Sequence, residues 1–85
     1  MWTVVYKKSV QKDLKSISKE NQYIIRRAIE DKLMTDPIRF GLPVRRNLKG
    51  LMKLRVGDYR VIYSIHRETV TVYVIKIGNR KEVYE

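Results

Sequence analysis

Lys53-Leu54-Arg55-Val56-Gly57-Asp58-Tyr59-Arg60-Val61-Ile62-Tyr63 reads as a β-hairpin closed by the two-residue turn Gly57-Asp58. That turn pairs Val56 with Tyr59, Arg55 with Arg60, Leu54 with Val61 and Lys53 with Ile62, and side chains then alternate between two faces. Leu54, Val56, Tyr59, Val61, Tyr63 and Ile65 share an apolar face directed to the core. The other face sets Arg55 across from Arg60, with Lys53 beside them. Like charges directly opposed on neighbouring strands repel. A bound anion, a phosphate backbone foremost, would relieve the repulsion, and so would solvent.

Working outward, Trp2 to Tyr6 is rich in β-branched and aromatic residues and predicts a first strand. Ser9 is the expected N-cap of a short helix striped by Val10, Leu14 and Ile17. Ser18 is the expected N-cap of a second, carrying Ile24, Ile25, Ala28, Ile29, Leu33 and Met34 at helical spacing. Asp36-Pro37 stops it, because the residue before proline avoids the α region. The two helices should form an antiparallel hairpin. A loop is expected from Pro37 to Pro43, then short strands from Val44 to Leu48 and Leu51 to Val56 around Lys49-Gly50. The central hairpin continues to Ile65, and a last strand, Val70 to Ile77, follows across His66 to Thr69. That register sets Ile65 opposite Val70 and Arg60 opposite Ile75. The tail leaves the sheet at Gly78, free to change direction, so that Arg80 can swing back toward the cationic face. The order predicts an α+β fold: an N-terminal strand and a two-helix hairpin packed on a mostly antiparallel sheet of four to five strands.

Residues 1–85, 44% apolar, are expected to form one domain with one modest core. With no cysteine and one histidine, neither a disulfide framework nor a zinc cluster of the usual spacing is available. The N-terminal charges follow the apolar run, the reverse of a signal peptide, and no apolar stretch reaches membrane-spanning length. A soluble, cytoplasmic protein with no membrane partner is expected. The net charge is +10, and residues 37–81 hold eleven Lys/Arg against two Asp/Glu, whereas residues 1–36 hold eight against five. Such asymmetry points to a polyanionic partner.

Metal-dependent nuclease chemistry needs clustered carboxylates, and the second half up to Lys81 offers only Asp58 and Glu68, each in an expected turn. No metal and no cofactor is expected. His66, at a hairpin end, is far from the arginines and reads as a loop residue. RNA brings its own nucleophile, the 2′-hydroxyl, so cleavage needs in-line positioning, charge stabilisation and two proton transfers. Arg, Lys and Tyr suffice. A lysine crowded by arginines is expected to lose its proton more readily, which suits Lys53 to a general base. Arg55, Arg60 and Arg80 suit phosphate clamping, and Tyr84 suits base stacking or proton donation. Each has a plainer reading. Exposed Lys and Arg on a strand are mostly solvated, and a tyrosine near the terminus is more often a packing residue. Tyr59, Tyr63, Trp2, Met34 and Met52 read as core or core edge, and Lys7, Lys8, Lys12, Lys15 and Lys19 as the wet face of the helices.

Leu48-Lys49-Gly50, the hairpin Lys53 to Tyr63, and Ile77-Gly78-Asn79-Arg80-Lys81-Glu82-Val83-Tyr84 together resemble the RelE/ParE superfamily of toxins from prokaryotic toxin-antitoxin systems. Tyr6-Lys7-Lys8-Ser9, Lys12-Asp13-Leu14 and Asp36-Pro37 fit its opening half. The resemblance implies a compact microbial RNase-like fold and, for the RelE branch, metal-independent cleavage of mRNA in the ribosomal A site. It implies catalytic positions at Lys53, Arg55, Arg60, Arg80 and Tyr84, the basic residues serving as base, phosphate ligands and acid. Arg45, Arg46, Lys49 and Lys81 are expected RNA contacts beside them. It also implies a cognate acidic antitoxin, through which alone the toxin reaches operator DNA. The alternatives are a ParE-like inhibitor of DNA gyrase, whose members generally lack the RelE catalytic set, and a non-catalytic toxin-fold binding protein.

Overall fold

The computed structural model describes residues 1–44, 50–81 and 83. In chain order the elements are β1 (Thr3–Tyr6), α1 (Lys8–Lys15), α2 (Lys19–Ala28) with a π turn at Ile29–Leu33, α3 (Pro37–Phe40), β2 (Leu42–Pro43), β3 (Met52–Val56), β4 (Tyr59–His66) and β5 (Thr71–Asn79). The five strands form one sheet in the order β1-β5-β4-β3-β2. β1 runs parallel to β5, and the other neighbours are antiparallel. This is the expected α+β arrangement.

The hairpin pairs as its turn dictates, Val56 with Tyr59, Arg55 with Arg60, Leu54 with Val61 and Lys53 with Ile62. Gly57 takes φ +57, the left-handed conformation that this turn demands and glycine supplies. Leu54, Val56, Val61 and Tyr63 are buried, and with Val72, Val74 and Ile77 of β5 they meet Val10, Ile17, Ile25, Ile29 and Leu33 from the helical layer. Tyr59 and Ile65 lie at the margin of that core.

Local signals fared unevenly in the helices. Ser18 caps α2, its Oγ accepting from Asn21 N at 3.2 Å. Ser9 does not cap α1. The helix starts at Lys8 with Lys7 at the cap position, because Lys7 already bonds β5 through its N–H to Val74 O at 2.8 Å. Ile24, read as part of the buried stripe, is 48% exposed. The π turn, closed by Met34 N on Ile29 O, keeps both Ile29 and Leu33 inward. Asp36-Pro37 ends that helix and also starts α3, inside what was read as a loop. Asp36 Oδ1 accepts from Arg39 N at 3.1 Å, and proline suits a first helical position.

The register between β4 and β5 differs from expectation, and so do the limits of β5. Ile65 pairs with Val72, not Val70, because Val70 sits in the connecting turn at φ +50. A β-branched residue seldom takes that conformation. Its carbonyl accepts from Thr3 N at 3.0 Å, which fastens the turn to β1. A bulge then leaves Ile75 without an opposite number, Tyr63 pairing with Val74 and Ile62 with Lys76. Arg60 therefore faces Gly78 rather than Ile75, and the strand runs on through Asn79. Beyond the end of β1, Asp13 of α1 covers the edge of β5, its Oδ2 accepting from Ile77 N at 3.1 Å. The expected strand from Val44 to Leu48 falls largely outside the described residues.

Candidate functional site

Lys53 and Arg55 project from β3 on the face of the sheet opposite the helices, and Arg60 answers Arg55 from β4. Arg55 is exposed and Lys53 partly so. Arg60 is not on an open cationic surface: it is only 3% exposed. Its Nη1 donates to Gly57 O at 3.0 Å and Tyr59 O at 2.9 Å. Carbonyl dipoles of the turn thus take up charge that the sequence seemed to leave to an anion or solvent. The guanidinium is drawn toward the turn, and the neighbouring Gly78 presents no side chain.

The tail comes back to the same end of the sheet. Arg80 N donates to Asp58 O at 2.8 Å, which holds exposed Arg80 beside the turn. Lys81 N donates to Asn79 Oδ1 at 3.0 Å, and Val83 N to Asn79 O at 3.0 Å, with Val83 buried. Asp58, Tyr59, Asn79, Arg80 and Lys81 line a cleft of about 500 Å³, closed on its far side by the α1–α2 link at Ser16 and Ile17. The Tyr59 hydroxyl accepts from Asn21 Nδ2 at 3.3 Å. Arg55, Arg60, Arg80 and Lys81 thus lie toward the turn end of the hairpin, and Lys53 stands two residues farther along β3 on the face of Arg55. Arg45, Arg46, Lys49 and Tyr84 lie outside the described residues.

His66 stands six residues along β4 from Arg60, roughly 20 Å at the usual strand rise. There it makes an edge-on contact with Tyr73 at 4.7 Å, and its Nε2 lies 3.1 Å from Ser64 Oγ. Two tyrosines are shifted upward. Burial raises the pKa of Tyr63, with the Asp36 carboxylate adding to it. Burial also raises that of Tyr6, against the Arg26 charge and with that of Glu30. Neither lies in the cationic group. The cleft under the turn was not anticipated, although the adjacency of Gly57-Asp58 and Gly78-Asn79 that builds it follows once Tyr59 is known to pair with Asn79.

Residues 4–84 match the sequence profile of the ParE toxin of type II toxin-antitoxin systems, parDE. The chain belongs to this toxin family, within the RelE/ParE superfamily. Toxin RelG of Mycobacterium tuberculosis is 38% identical over 52 residues, which make up 61% of this chain and 60% of that protein. Toxin RelE of the same organism is 42% identical over 52 residues, 61% of this chain and 54% of that protein. The chain therefore spans only 60% and 54% of these two relatives' lengths. Among solved structures, the toxin-antitoxin complex RelBE2 from M. tuberculosis contains a chain with TM-score 0.85 and 29% identity, covering 93% of this chain and 91% of that one. The archaeal RelE-RelB complex from Pyrococcus horikoshii OT3 contains another, with TM-score 0.66 and 26% identity over 96% and 98% of the two chains. A ParE-type profile and RelE-type relatives thus meet in one toxin fold. No helix among the described residues is long and apolar enough to cross a membrane.

Proposed function

We propose that this toxin-family chain is a metal-independent endoribonuclease that cuts messenger RNA in the ribosomal A site and so stops translation in the cytoplasm. The observation that carries this reading is the cross-strand pair Arg55/Arg60 with Lys53 two residues before it and Arg80 fastened beside the same turn. In the reaction the 2′-oxygen attacks the adjacent phosphorus, the bond to the 5′-oxygen breaks, and a cyclic phosphate and a 5′-hydroxyl result. Lys53 takes the 2′-hydroxyl proton. Arg55 holds the phosphoryl oxygens as negative charge builds, Arg60 adds its charge from its seat on the turn carbonyls, Arg80 steadies the leaving 5′-oxygen, and that oxygen takes its proton from Tyr84 or solvent. Tyr84 stacks on a base or passes a proton, and Arg45, Arg46, Lys49 and Lys81 bind flanking phosphates.

An acidic antitoxin is the proposed partner. The net charge of +10 and the RelBE2 and RelE-RelB complexes among the similar structures support it. Operator DNA is reached only through that antitoxin. Translation reactions read by primer extension test the nuclease reading: codon-phased cuts should appear with the wild type and disappear with Arg60→Ala and Arg80→Ala. Growth inhibition without such cuts would sink it. The ParE profile favours one second reading, inhibition of DNA gyrase, and a supercoiling assay separates the two. Inhibition that survives both arginine substitutions without blocking gyrase would mark a non-catalytic binding protein.

A further inference from the structure

We infer that the cleft beneath the Gly57-Asp58 turn seats one base of the RNA substrate, and that Asp58 makes it prefer a base with an exocyclic amino group to uracil. The inference takes its substrate class from the nucleolytic reading, but its test does not require cleavage. At about 500 Å³ the cleft is in the size range of small-ligand sites, whereas the groove between α1 and α2, at about 160 Å³, is too small.

Its chemistry is divided. Arg80 and Lys81, both exposed, are cations suited to phosphate, whereas Asp58, also exposed, brings a carboxylate to the same lining. No hydrogen bond or ion pair among the described residues uses that carboxylate, which would repel a phosphate and is therefore placed for the base. An ionised carboxylate only accepts hydrogen bonds. It accepts from the amino group of cytosine, guanine or adenine, whereas in the place of cytosine's amine uracil sets a repelling carbonyl, with only the ring N3–H beside it to donate. Tyr59, its hydroxyl tethered to Asn21, supplies an aromatic wall for the base. A second depression of about 270 Å³ on the α2 side shares Asp58, Tyr59 and Asn79, so that wall is open on both flanks. The cleft shares its turn with Arg60, whose guanidinium bonds the carbonyls of Gly57 and Tyr59 from the other face of the sheet.

CMP and UMP share sugar and phosphate and differ on the base edge, at C4 (amino against carbonyl) and at N3 (acceptor against N–H), and are the probes. Titrated into the isotopically labelled chain and followed by NMR, CMP should shift the amides of Asp58, Tyr59, Asn79 and Lys81 and bind roughly tenfold more tightly than UMP. Asp58→Asn should erase the preference, since an amide both donates and accepts, and asparagine suits this turn position. Lys81→Ala should weaken both nucleotides alike. Equal affinity of the wild type for CMP and UMP, or shifts elsewhere on the chain, would overturn the inference even if the chain cuts mRNA. CMP-selective binding at the cleft without mRNA cutting would uphold it and remove the nucleolytic reading alone. If Asp58→Asn fails to fold, the wild-type comparison decides.

Discussion

Tyr63 joins the two halves of the chain through one buried atom. Its hydroxyl donates to Pro37 O at 2.7 Å, and a Cβ added at Gly41 would fall on that hydroxyl and lie 2.7 Å from Cζ. Gly41 is thus required for space rather than for conformation. Gly41→Ala should cost about 1–3 kcal/mol or more in urea unfolding. Tyr63→Phe should cost about 1–3 kcal/mol by stranding the Pro37 carbonyl. The costs should be less than additive in the double variant, which removes the colliding oxygen. The same hydroxyl sets a pH limit. Burial holds its pKa above the ordinary tyrosine value, so the folded state keeps a proton that the unfolded chain releases near pH 10. Its contribution is intact below that pH and drains away as pH rises toward the folded value. Urea midpoints measured between about pH 9 and pH 11 should fall in the wild type and fall less steeply in Tyr63→Phe, where the raised Tyr6 still contributes. An unchanged slope in the variant would assign the loss to another group. The Tyr63 core position was readable from alternation along the hairpin. Its partner was not, because Pro37 and Gly41 lie in a stretch that read only as a loop.

At the scale of elements, what a turn or cap fixes locally was legible, and what two distant segments negotiate was not. The β3–β4 pairing followed from Gly57-Asp58, and Ser18 announced α2. The β4–β5 register did not follow, since it depends on Val70 accepting a strained turn in exchange for a hydrogen bond to β1, and on a bulge at Ile75. Three residues of displacement resulted, enough to replace Ile75 by Gly78 opposite Arg60 and to create a cleft that no linear reading showed. Asp13 is the other such case. In the sequence it stood only within the Lys12-Asp13-Leu14 match, with no role of its own, yet it substitutes for the strand that β5 lacks beyond Val74. Asp13→Ala should therefore cost about 1–3 kcal/mol by stranding the Ile77 amide, and hydrogen exchange at Ile77 should accelerate. Lys76, 3.8 Å from the same carboxylate and half exposed, should matter far less, with Lys76→Ala costing about 0–1 kcal/mol. Equal costs for the two substitutions would show that the ion pair, not the amide bond, holds α1 to the sheet.

Over the whole molecule, the charge divides between two layers with different consequences. Lys7, Lys8, Lys12, Lys15 and Lys19 are exposed on the helical layer, spread along α1 and its flanks. Arg55, Arg60, Arg80 and Lys81 lie toward the turn end of the sheet, with Lys53 two residues farther along β3. The total of +10 attracts any polyanion at low salt, whereas the group at the hairpin is the one proposed, among the described residues, to hold successive phosphates of one strand in register. The two contributions separate in a salt titration. For a single strand the slope of log K against log salt concentration is roughly −0.7 for each phosphate neutralised. Arg55→Ala should therefore weaken binding to a short unstructured RNA and reduce the magnitude of that slope by roughly 0.7, since its exposed side chain releases one counterion equivalent on binding. Arg67→Ala removes the same charge from the β4–β5 turn at the opposite end of the sheet and should leave the slope unchanged. Fluorescence anisotropy at several salt concentrations measures both. If the two substitutions reduce the slope equally, the RNA is held by net charge alone and the cluster at the turn has no special claim on phosphate.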